Sequence, residues 1–162
     1  MPDFEERLRK AIERGERRGQ QHAREAEAKA LTAEEYRRLH TNYRLQLSEH
    51  IETCIKKLPL HFPGFQVETI YGERGWGAGC RRDDFGRSSD GQRANYLSRL
   101  EMTVRPHSSL NLLDLAAKGT IRNKEVFNRN HFEKLDDADP DNFVNLIDVW
   151  VLEYAELFAA TV

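Results

Sequence analysis

DPDNFVNLIDVWVLEYAELFAA, running from Asp139 to Ala160, is the stretch whose periodicity decides the fold class. Asp139 carries a side chain suited to capping free N–H groups at a helix start. Pro140 suits the first helical position, where its missing N–H costs nothing. Phe143, Leu146, Ile147, Trp150, Tyr154, Leu157 and Phe158 then recur at three- and four-residue steps, which puts them on one helical face. Val144, Val149, Val151 and Leu152 widen that face. The spacing therefore predicts a long amphipathic C-terminal helix, clamped between other elements at the centre of the core.

Upstream of this helix the period changes from helical to alternating. Phe65, Val67, Thr69 and Tyr71 alternate with Gln66, Glu68 and Ile70, which reads as a first strand. Gly75 to Cys80 reads as a second strand, and the polar run from Asp83 to Gly91 as a loop. Tyr96 to Val104 alternates as a third strand that Pro106 ends. Leu113 to Arg122 gives a fourth. Asn123-Lys124 offers a turn into a short fifth strand, Val126 to Phe132, with a single bent strand as the other reading. Consecutive strands bracketed by helices imply an α+β fold. The expected architecture is N-terminal helices and the long amphipathic C-terminal helix packed on a four- to five-stranded antiparallel sheet.

The N-terminal part divides on composition. Asp3 with Glu6 resembles a capping pair, followed by a short apolar face of Phe4, Leu8, Ala11 and Ile12. Gly15 and Gly19 weaken a helix by about 1 kcal/mol each relative to alanine. Gln20 to Ala30 is rich in Ala, Glu, Arg and Lys without a large apolar side chain, so residues 1–30 read as a charged helical arm. Thr32 with Glu35 fits a capping box, and Leu31 with Tyr36 the staple around it. Tyr36, Leu39, Tyr43, Leu47, Ile51, Cys54, Ile55 and Leu58 then form a stripe that Pro59 ends. Residues 31–162 read as a single α+β domain.

The 162 residues suffice for one domain with a real core, and 32% of them are charged. The net charge of −2 conceals an uneven distribution: residues 73–131 carry 11 basic against 7 acidic side chains, whereas residues 132–162 carry one lysine against eight acids. That balance permits an anionic partner for the middle but falls short of a nucleic-acid-binding composition. Two cysteines, Cys54 and Cys80, make no disulfide framework, and no window approaches the length of a membrane span. A soluble, cytoplasmic protein with no membrane partner is expected.

Four constellations bear on chemistry. Gly75, Gly77 and Gly79 alternate along their strand and leave bare backbone, suited either to close packing or to a bound ligand. Asp83, Asp84 and Glu101 supply the carboxylates of a Mg²⁺-dependent nuclease, yet Thr103 stands where that pattern needs a lysine. His50 and Cys54 lie one helical turn apart and, with His61, suggest a metal site lacking a fourth ligand, so no metal is expected. The run from Arg122 to His131 concentrates donors for phosphate or carboxylate groups. Lys118, Arg122, Lys124, Asn128, Arg129 and His131 are therefore the candidate binding residues, with the three glycines beside them. A strand places Lys118, Thr120 and Arg122 on one parity, so only a hairpin near Asn123 would gather the run.

No catalytic constellation and no cofactor motif emerges. The function expected from the sequence is a non-catalytic protein-interaction or adaptor module that associates with a protein partner or with itself as a homo-oligomer. Nucleic-acid or anion binding through a basic sheet surface is the second reading, and a small metal-dependent hydrolase or nuclease the third.

Overall fold

The computed structural model of the chain describes residues 3–161, apart from the side chains at 29–31. It has a long N-terminal helix, a C-terminal helix and a five-stranded antiparallel sheet, the α+β architecture expected. The chain forms two compact units, one ending at Arg38 and the other beginning at Leu39.

Helix α1 runs from Phe4 to Ile55. Asp3 Oδ1 accepts a hydrogen bond from Glu6 N at 2.9 Å, closing the N-terminus as the sequence suggests. The expected restart at Thr32 does not occur. Its hydroxyl donates to Ala28 O at 2.8 Å, the back-bonding of a residue inside a helix rather than at its cap. The Leu31 side chain of the expected staple lies outside the described residues. Helix-favouring Ala, Glu and Arg on both sides carry the helix through Gly15 and Gly19, where an added Cβ would meet nothing within 4 Å. A short α2, Leu58–His61, follows with Pro59 in its first turn.

The strands are β1 (Gln66–Ile70), β2 (Trp76–Arg87), β3 (Arg93–Val104), β4 (Leu112–Ile121) and β5 (Lys124–Lys134), paired as a simple meander. β2 continues through the expected loop. Asp83 and Asp84 are poor strand formers, but each is paired with the arginine two residues before it on the same face: Arg81–Asp83 at 3.4 Å and Arg82–Asp84 at 3.0 Å. The loop shrinks to the tip between Arg87 and Arg93. The fifth strand is separate, joined to β4 through Arg122 and Asn123, whose φ values are +49° and +70°.

One face of the sheet is buried under helix. Ala78, Cys80, Leu100, Met102, Val104, Leu113, Leu115, Ala117, Ile121 and Phe127 are buried there together with Leu47, Ile51 and Ile55 of α1. Helix α3, Pro140–Ala159, adds Phe143, Ile147, Trp150, Val151, Tyr154 and Phe158. Asp139 caps it by accepting from Asp141 N at 3.0 Å. Tyr154 is fully buried and its hydroxyl donates to Thr120 O at 2.8 Å, so its burial strands no polar atom. The covered face of α3 is narrower than its sequence suggests: Val149, Leu152 and Leu157 are exposed, because the helix lies on the sheet with its outer side open.

Candidate functional site

The structure divides the basic run between the two faces of the sheet. The hairpin that the run required does form, with Lys118 opposite Asn128 and Ala117 opposite Arg129. Strand parity then sends Lys118 and Asn128 to the open face and Arg129 and His131 to the helix-covered face. Arg129 makes a bidentate pair with Glu153 of α3 at 2.8 and 3.2 Å and lies over Phe127 and Trp150. His131 Nε2 pairs with Glu133 at 2.7 Å while its ring packs edge-on against Phe143. Arg122 lies at the turn with its guanidinium 4.1 Å over Tyr96, and Lys124 is exposed at the start of β5. Of the run, Lys118 and Asn128 are the residues set side by side on the open face.

That surface is a shallow cleft of about 350 Å³ on the open face, lined by Arg74, Glu101, Thr103, Arg105, Lys118 and Asn128 among others. Its charges are of both signs and mostly paired: Arg74 and Arg99 to Glu101, Arg105 to Asp114 and Arg99 to Glu68. A field with alternating signs does not concentrate a polyanion.

The glycines of β2 are filled by backbone. A Cβ on Gly77 would lie 2.0 Å from Met102 O, and one on Gly75 would lie 2.4 Å from Val104 O. On Gly79 it would meet Leu100 O at 3.1 Å and Ile70 Cδ1 at 3.5 Å. β3 itself occupies the space that bare backbone opens. The carboxylates of the nuclease reading do not converge either. Asp83 and Asp84 point to opposite faces. Glu101 stands opposite Gly79, four residues or about 13 Å along β2 from Asp83. Each of the three is engaged by arginine.

A different cluster does converge. His50 and Cys54, at i and i+4 on α1, turn toward α3 and meet Asp148. His50 Nε2 is 2.7 Å from Asp148 Oδ1, Cys54 Sγ is 3.4 Å from the same oxygen and 3.5 Å from His50 Nε2. The cluster borders a cleft of about 340 Å³ between these helices, lined also by Lys57, Leu58, His61, Val151, Leu152 and Ala155. One ring nitrogen faces both partners, whereas a nucleophile–base–acid relay uses the two nitrogens separately. Burial and the neighbouring Asp148 push the Cys54 thiol up to about 11, so the side chain is a thiol and not a ready nucleophile. The His50–Cys54 spacing was visible in the sequence. Asp148 was not, because an aspartate inside an apolar helix run carries no sign of its distant partners.

Comparison of the chain with protein families, curated proteins and solved structures finds no match.

Proposed function

We propose that the protein is a non-catalytic interaction module that self-associates through the helical segment from Phe4 to Ala28. The observation that supports this reading is an exposed apolar face on a segment with no buried side chain. Every residue from 3 to 28 is exposed, and Phe4, Leu8 and Ile12, at 73, 43 and 54% exposure, follow one another at four-residue steps. Gly15, Gly19, Ala23 and Ala26 continue the face with small side chains that let a second helix approach closely. Seven basic and seven acidic residues lie between Asp3 and Ala28, so two copies meet without net repulsion. A strongly charged partner would find no complementary field there. The sheet and α3 carry no convergent catalytic group, and the basic residues that a polyanion would need are split between faces or paired. Two free cysteines suit a reducing cytoplasmic setting, and no helix among the described residues is long and apolar enough to cross a membrane.

Light scattering coupled to size exclusion on the full chain tests the reading. A dimer or larger assembly is expected across the micromolar range, reduced to monomer by removal of residues 3–28 and by Phe4→Ser with Leu8→Ser and Ile12→Ser. A monomeric full chain, or an assembly untouched by both changes, overturns it.

A further inference from the structure

Three chemically different donor atoms meet between α1 and α3: an imidazole nitrogen, a sulfur and a carboxylate oxygen, all within 4.8 Å of one another. His50 and Cys54 are fixed relative to each other by a single helical turn, and Asp148 comes from the facing helix. Side-chain exposure of 30% at His50 and 46% at Asp148 leaves the cluster open to ions from solvent. We propose that His50, Cys54 and Asp148 form a binding site for a borderline divalent transition ion, Zn²⁺ foremost, with a fourth position facing the cleft.

The donor set selects the class of ion. Mg²⁺ and Ca²⁺ require shells built from oxygen, and one carboxylate cannot supply them. Imidazole, thiolate and carboxylate together suit Zn²⁺. The distances fit as well. Around a tetrahedral Zn²⁺, sulfur lies about 3.5 Å from nitrogen or oxygen ligands, and nitrogen lies about 3.3 Å from oxygen. The two separations from Cys54 Sγ are 3.5 and 3.4 Å, already at that spacing. Only the 2.7 Å His50–Asp148 contact must open, by about 0.6 Å, and the half-exposed Asp148 is free to rotate by that much. His61 and a water molecule are the two groups suited to the fourth position, since His61 lines the same cleft.

Asp148 Oδ1 accepts the Cys54 S–H, and its 2.7 Å contact with His50 is a second hydrogen bond to the same oxygen. On binding, bonds form from the ion to nitrogen, sulfur and oxygen. The Cys54 S–H bond breaks and its proton leaves to solvent. Any proton on Nε2 is likewise released to solvent or moved through it to Nδ1, which frees the Nε2 lone pair to ligate the ion. The ion would thereby tie α3 to the C-terminal half of α1.

Co²⁺ serves as a visible stand-in for Zn²⁺. The metal-free full chain is expected to take up one Co²⁺ per chain with a thiolate-to-cobalt charge-transfer band, displaced by one equivalent of Zn²⁺. Cys54→Ser should abolish the band. Asp148→Asn, at a half-exposed position that should leave the far-UV circular dichroism unchanged, should weaken Zn²⁺ binding by at least about 10-fold, the least that loss of even a residue supporting a ligand costs. Absence of the band in the parent chain, its survival in Cys54→Ser, or unchanged affinity in Asp148→Asn overturns the site. Should Cys54→Ser fail to fold, the Asp148→Asn affinity decides alone.

Discussion

His40 is a histidine whose protonation the fold opposes. It is buried, its Nε2 lies 3.1 Å from Arg105 O, and the His107 ring and the Arg44 guanidinium are its charged or titratable neighbours. Burial holds its pKa below the ordinary value, and His107 and Arg44 act in the same direction against the bond to Arg105. As pH falls through about 6.5 the unfolded chain takes up the proton first, so stability is lost below that point and retained above it. Denaturant melts between about pH 8 and about pH 5.5 should show a loss of at most about 1.4 kcal/mol per pH unit from this group. His40→Gln, which can still donate to Arg105 O, should flatten that slope; an unchanged slope would assign it elsewhere. At this scale the sequence was partly legible. The alternation of Gly75, Gly77 and Gly79 announced a close approach, and β3 makes it. Arg129 and His131 were legible only as donors. Glu153, on a helix two dozen residues away, and Glu133, on the same strand face, consume them. A count of donors along a chain contains no record of the acceptors that folding brings to them.

Among the elements, α3 shows how far a periodic pattern reaches. Its cap, its start at Pro140 and most of its buried face were readable from residue order, because each depends on neighbours within a turn or two, although Leu157, assigned to that face by its spacing, is exposed. Its open side was not. Val149 and Leu152 look in sequence like extra core, and they are exposed, since the number of layers above a helix is a property of the whole fold. The limits of β2 were hidden for a local reason: Arg81 and Arg82 neutralise two aspartates that composition alone would place in a loop. The turn after β4 combines both cases. Asn123 was readable as a turn residue, yet its amide also bonds Leu97 N at 2.8 Å and Asn95 O at 2.9 Å, sewing the upper part of β3 to the β4–β5 hairpin. The mechanical weight rests on the buried face of α3. Trp150 is 5% exposed, and Trp150→Ala should cost about 3–5 kcal/mol, the range for emptying a large aromatic site. Urea denaturation measures it directly, and a loss below about 1 kcal/mol would mean that neighbouring side chains collapse into the space.

For the molecule as a whole, two physical regimes share one chain. From Leu39 onward, stability comes from apolar burial between a sheet and its helices. In residues 3–28 nothing is buried, and helical order there rests on local terms, propensity and the Asp3 cap, unless a partner contributes. Propensity is weakened at Gly15 and Gly19 by about 1 kcal/mol each relative to alanine. A peptide of residues 3–28 should therefore be only partly helical when dilute, and its helicity by circular dichroism should rise with concentration if copies pair through Phe4, Leu8 and Ile12. Gly15→Ala with Gly19→Ala should raise helicity at every concentration, because that change acts on propensity. Replacing Phe4, Leu8 and Ile12 by serine should instead leave the dilute helicity nearly intact and remove the rise with concentration, because that change acts on the apolar face. The two responses separate intrinsic order from assembly. A helicity that is high and independent of concentration in the parent peptide would show a self-sufficient helix, and the apolar face would then need an occupant other than its own copy.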